Sequence, residues 1–128
     1  MAMAAMLAPM GCSLGADEEP QPASGVPKEI AATVDRLERA VATQDFAEVC
    51  NELFTEAARR RSGGADCPNQ LRVAAEGVRR PRIDVGGISV EGDRAVVTVR
   101  TRAEGQARVS DELRLRREAG RWRIESLG

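Results

Sequence analysis

The chain changes its rhythm once. Up to about residue 77 apolar positions recur every three or four residues; from Arg82 onward they alternate. The first period belongs to helices with one buried face and the second to strands with one buried face. Ile30, Val34, Leu37 and Val41 line one side of a helix predicted over 28–43, with Pro27 at its start and Glu29, Asp35, Arg36, Glu38 and Arg39 on the other sides. A second helix starts at Asp45, where Asp45 and Glu48 have the spacing of a capping box. Its apolar stripe is Phe46, Val49, Cys50, Leu53, Phe54 and Ala57. Arg59, Arg60 and Arg61 complement its negative end, and Ser62, Gly63 and Gly64 stop it. A third, shorter helix is predicted over 68–77, capped by Asp66, burying Leu71, Ala74 and Ala75 and ending at Gly77.

In the alternating half, Ile83 and Val85 have the opposite parity to Ile88 and Val90. A bulge at Gly86-Gly87 would return all four to one face. The next strand, over 94–103, turns Ala95, Val97, Val99 and Thr101 one way; the third, over 107–117, does the same with Val109, Asp111, Leu113 and Leu115. The last, over 121–127, turns Trp122 and Ile124 inward. Hairpin-length links at Gly92-Asp93, Glu104-Gly105 and Ala119-Gly120 predict a four-stranded antiparallel meander. Helices first and a one-faced sheet after them make an α+β domain.

The first residues do not belong to that domain. MAMAAMLAPMGCSLG (1–15) is apolar and uncharged, and reads as the end of a signal segment running into a lipoprotein processing site at Cys12. It departs from that pattern in having Pro9 three residues before the cysteine and no basic start. The alternative is an untidy N-terminus with a chance cysteine. Residues 16–26, ADEEPQPASGV, are acidic and then rich in Pro, Ser and Gly, the composition of a tether. The folded domain is expected over 27–128.

Composition narrows the chemistry. The chain has 128 residues, no His, no Tyr and a net charge of −1. That removes Ser-His-Asp and Cys-His catalysis, His-ligated zinc and a tyrosine acid. No bulk attraction to nucleic acid is implied, and no aromatic lies on the outer sheet face for base stacking. GGISVEGD lacks the lysine and the following helix of a phosphate-binding loop. No cofactor or metal is expected. The three cysteines resolve as Cys12 in the processing site and Cys50 with Cys67 as a disulfide, against the alternative of two buried free thiols in a reducing compartment.

The segments ERAVATQDFAEVCNELF and GRWRIESLG resemble the helix-break-helix start and the closing strand of the NTF2-like superfamily, also called SnoaL-like. The Cys50 and Cys67 pair with the leader further resembles small exported members from high-GC bacteria without known function. The resemblance implies a cone, of the kind also seen in cystatin-like folds, whose inner face holds a pocket; here that points to Phe46, Leu53, Val97, Val99, Asp111 and Leu113. Asp111 is the one charged residue at an inward position of the central strands. It is a weak candidate for the base of an isomerase, hydrolase or cyclase; the bland alternative is a wet carboxylate, or one paired with Arg100 or Arg102. Asp84 points the other way and supplies no second carboxylate. Arg94, Arg100, Arg102, Arg108, Arg114 and Arg116 fall on the outer sheet face, where they would meet anionic head groups or an acidic partner, or lie solvated and balanced by Glu91, Glu104 and Glu112.

The expectation is an exported or lipid-anchored, extracytoplasmic domain that binds a small apolar ligand or a partner protein without catalysis. A homodimer through the sheet is a further possibility. Contact with a membrane is expected through the lipid anchor only.

Overall fold

A computed structural model of the chain describes residues 25–127. The leader, Cys12 and nearly all of the tether lie outside the described residues. Helix α1 (Val26–Thr43) buries Ile30, Val34 and Leu37 of the stripe expected of it, with Ala40 as the fourth buried residue in place of Val41, which is half-buried. It ends at Gln44, whose backbone is left-handed (φ 62°), and the following Asp45 N–H donates to Ala40 O at 2.7 Å.

The single second helix expected over 45–61 is instead broken into pieces. Helix α2 (Phe46–Glu48) passes directly into a π-helical turn (Val49–Leu53). Phe54 is then fully extended (ψ 151°), and helix α3 (Glu56–Arg61) begins afresh. The break has a partner. Phe54 bridges Ile124 in parallel, and the Thr55 N–H donates to Ile124 O at 3.0 Å. Thr55 also caps α3, its hydroxyl accepting from the Ala58 N–H at 3.0 Å while itself 2% exposed. Restarting the helix at Thr55 moves the buried position from the expected Ala57 to Ala58. The capping box forms by half. The Asp45 carboxylate accepts from the Glu48 N–H at 3.2 Å, but Glu48 turns to Arg36 (2.7 Å), because the Asp45 N–H is already taken by α1.

A short 3-10 turn (Gly64–Asp66) leads to helix α4 (Cys67–Ala74). Asp66 stands at its cap position but makes no capping bond, and holds Gln70 at 2.8 Å instead. Leu71 and Ala75 are half-buried, whereas Ala74 is exposed. Cys50 and Cys67 form the disulfide, with Cα atoms 6.1 Å apart and both residues at most 1% exposed.

Strands β1 (Arg82–Glu91), β2 (Arg94–Arg102), β3 (Val109–Glu118) and β4 (Arg121–Leu127) pair antiparallel in chain order. The bulge falls where the parity switch requires it. Val85 faces Val99 and Gly87 faces Thr98, leaving Gly86 unpaired and Ile83, Val85, Ile88 and Val90 on one face. A side chain at Gly86 would press to 3.1 Å from Thr98 Oγ1, which is why the extra residue there is small. A second bulge leaves out Glu125, between the pairs Arg114 with Ser126 and Leu115 with Ile124. It brings Leu127, three residues after Ile124, round to Leu113.

The core lies between the sheet and the helices. Ala95, Val97, Val99, Leu113, Leu115, Trp122 and Ile124 from the sheet meet Ile30, Val34, Leu37, Val49, Leu53 and Phe54. The architecture is the expected α+β meander with N-terminal helices. Among the described residues no helix is long and apolar enough to cross a membrane.

Replacing both Cys50 and Cys67 by Ala should lower unfolding free energy by about 3 kcal/mol in the loop-entropy account, read from urea melts. Intact mass of the unreduced protein should show Cys50 and Cys67 resistant to alkylation. Two free thiols at these positions would contradict the assignment.

Candidate functional site

Strand β1 is an edge, and its inward side chains are less covered than those of β2. Val85 and Val90 are 39% and 38% exposed, against 0% for Val97. Two polar clamps hold this edge. The Glu38 carboxylate of α1 accepts from the Ile83 N–H at 2.7 Å, and the Glu104 N–H beyond β2 donates to Arg79 O at 2.8 Å. They fasten the connector that carries Val78 and Pro81 at Arg79 and at Ile83.

Under that connector is a cavity of about 340 Å³. Leu37 and Val41 of α1 form one wall, and Ile83, Val99, Val109 and Leu113 of the strands form the other. Val78, Pro81 and Leu127 close its sides, and Thr101, Gln106 and Asp111 add polar groups. Ligand pockets commonly have volumes from ~300 Å³ upward, with apolar walls and a few polar groups.

Of the six residues picked out from the sequence, Val99, Asp111 and Leu113 line this cavity. Phe46, Leu53 and Val97 do not; they are packed into the interior at 6%, 1% and 0% exposure. The inner face of the sheet is therefore filled over β2 at Val97, and the cavity lies at the end of the sheet that carries Ile83 and Thr101. Leu37 and Val41 were legible as part of the α1 stripe. Val78 and Pro81 sit in a connector without periodicity, and Leu127 reaches the cavity only through the second bulge.

Asp111 stands opposite Val99 in the sheet register, on the inward side, and is exposed. It makes no ion pair among the described residues, with Arg100, Arg102 or any other arginine. Asp84 faces Arg100 on the opposite side of the sheet. No group of three His, Cys, Asp or Glu side chains able to hold a metal occurs among the described residues.

The outer face is only partly balanced. Arg114 pairs with Glu112 at 3.5 Å and Arg116 with Glu125 at 3.7 Å. Glu104 pairs with Arg80, at 3.4 Å, and not with the strand arginines. Arg94, Arg100, Arg102 and Arg108 have no ion pair among the described residues. A more open depression of about 640 Å³ crosses the first three strands beside the Gly86 bulge, where Asp84, Thr98, Arg100, Arg108, Ser110 and Glu112 meet. Its mixed charges select no one ligand.

No protein-family model matches the sequence, and no curated protein matches it. Solved structures do. An NTF-2 like protein of unknown function from Silicibacter pomeroyi is similar with a TM-score of 0.57 at 24% identity, over 78% of this chain and 90% of that one. A proposed SnoaL-like polyketide cyclase from Jannaschia sp. CCS1 gives 0.51 at 20% identity, over 83% and 89%. A de novo designed NTF2 fold protein gives 0.53 at 15% identity, over 77% and 83%. The fold is NTF2-like.

Removing the Glu38 carboxylate should unfasten the edge. Glu38→Ala is expected to cost about 1.5–3 kcal/mol of stability, the range for a hydrogen bond to a charged group. Hydrogen exchange at the Ile83 amide should accelerate more than at Val97, and equal protection of Ile83 in both proteins would show that the clamp does not hold it.

Proposed function

We propose that the chain is a non-catalytic NTF2-like domain that works outside the cytoplasm, exported or held to a membrane through Cys12, and binds a small apolar ligand in the cavity under the Val78–Pro81 connector. The observation that carries this reading is the cavity itself. In a domain whose interior is packed with Leu53, Val97 and Ile124, at 0–1% exposure, a cavity with mostly apolar walls lies between α1 and the strand ends that carry Ile83 and Val109. Leaving that much aliphatic surface uncovered forgoes roughly 25 cal/mol per Å², which a ligand would recover. The buried disulfide supports an oxidising compartment. The same compartment suits the leader and tether read from the sequence.

A catalytic role for Asp111 is the second reading. What favours it is position: a carboxylate on the wall of the cavity. It has no companion there, since Asp84 lies on the other face and the chain has no Tyr or His to act as the complementary acid. Proton transfer at a ligand needs a group to take charge as well as one to give it. The binding reading therefore stands first.

A solvatochromic dye such as Nile red should brighten on binding the protein, and Val41→Trp, which fills the cavity, should abolish the signal while leaving the circular dichroism melt intact. Dye bound equally well by the filled variant would end the cavity reading. Asp111→Asn should bind the dye as the parent does. Metabolic labelling with a fatty acid should mark the chain in a lipoprotein-processing host and fail with Cys12→Ser.

A further inference from the structure

The walls of the cavity are apolar, but its mouth is not, and the mouth carries information about the ligand's polar end. We propose that the ligand is an anionic amphiphile, with an alkyl or acyl chain in the cavity and a carboxylate or phosphate head on Arg82 and Arg102. This rests on the reading of the cavity as a ligand site.

Arg82 and Arg102 are direct cross-strand partners of β1 and β2. Their Cα atoms are therefore about 5 Å apart, and like charges in that position repel. Arg108 precedes Val109, the partner of Thr101, and so continues the same row on the β3 side. None of the three has an ion pair among the described residues. Glu104, two residues from Arg102, is engaged by Arg80, and Asp84, two residues from Arg82 on the same face and opposite Arg100, makes no ion pair with either arginine among the described residues. No ion pair thus relieves the repulsion between Arg82 and Arg102, both of which line the cavity.

Arg82 and Arg102 line the cavity, and they also line a shallow depression of about 380 Å³ next to it that takes in Arg80 and Glu104. The same two residues thus border both an apolar space and a polar one. A head group resting there would receive several charge-assisted hydrogen bonds, in the forked geometry that suits carboxylate and phosphate. Asp111, on the inner wall, repels an anion, so the head is kept at the rim and the chain is the part that enters. A neutral ligand would leave the arginine pair uncompensated, and a cation at the rim would add to its charge.

The test uses the full-length chain with Cys12→Ser, so that no acyl anchor competes, and titrates decanoate, decyl phosphate, decanol and decyltrimethylammonium below their micelle concentrations. Decanoate or decyl phosphate should bind at least about tenfold more tightly than decanol, the effect of one charge-assisted hydrogen bond, and the better of the two identifies the head. That advantage should shrink in roughly 0.5 M salt and disappear in Arg102→Gln and in Arg82→Gln, each anion being compared with decanol in the same variant. Both variants should melt at or above the parent temperature, since each removes one of two opposed charges. Equal affinity for decanol and the anions overturns the head-group assignment but leaves the apolar site. Tightest binding of decyltrimethylammonium also overturns it and moves the polar contact to Asp111. Binding of none of the four overturns the site reading along with it.

Discussion

The structure hangs on the backbone contact between Phe54–Thr55 and Ile124. Here the helical layer gives up its own hydrogen bonding and borrows from the sheet: the Thr55 N–H goes to Ile124 O, and the Thr55 hydroxyl then starts α3. Ile124 is 0% exposed and Thr55 2%. A backbone amide buried there without a partner would cost about 1–3 kcal/mol, so the break in the helix is tolerable only because the last strand arrives at that point. The disulfide lies on the same construction. Cys50 is in the π turn just before the break, and Cys67 opens α4 beyond α3, so the bond closes the loop that the break creates. With Phe54 extended, its ring joins the aliphatic core from the edge of the helical layer.

That contact is also where the sequence was least legible. The stripe of Phe46, Val49, Cys50, Leu53, Phe54 and Ala57 satisfies the helical period through the break, because the π turn keeps the residues before it on the buried side. The only local sign of a restart is a Thr followed three residues later by Ala58, which lacks the acidic residue that would complete a capping box. The sheet was far more readable. Alternation places Ala95, Val97, Val99, Leu113, Leu115, Trp122 and Ile124 inward, and the parity switch at Gly86-Gly87 marks the first bulge. The second bulge had the same kind of sign in Ile124 and Leu127, three apart in a strand, but with no glycine to draw attention to it. Bulges move whole faces, so one extra residue at Glu125 is what carries Leu127 to the cavity.

The candidate site was legible by half for a related reason. A pattern of inward residues tells which face a side chain shares, and Val97, Val99, Asp111 and Leu113 do share one. It does not tell how far along that face the helices reach. Here α1 and the π turn cover the middle of the sheet and fill it, so Val97 and Leu53 are core. The covering ends near Leu37 and Val41, and of the residues picked out from the sequence Val99, Asp111 and Leu113 line the cavity there, beside Ile83, Thr101 and Val109. Coverage depends on helix placement, which the Ile124 contact and the Glu38 clamp decide, and both are long-range in the chain.

The same geometry weighs binding against catalysis. Aromatic side chains are the usual means of filling a wide cone, and this chain has three, Phe46, Phe54 and Trp122, all of them buried away from the mouth. The interior is closed instead with Val, Leu and Ile, which pack well in the middle but are too short to span the open end. An apolar cavity there follows from composition as much as from selection for chemistry. A reactive site would need, in addition, a dry and charged centre. What the cavity has is one exposed carboxylate, Asp111, with no second carboxylate in its lining, and two arginines, Arg82 and Arg102, on which the proposed amphiphile would rest its head.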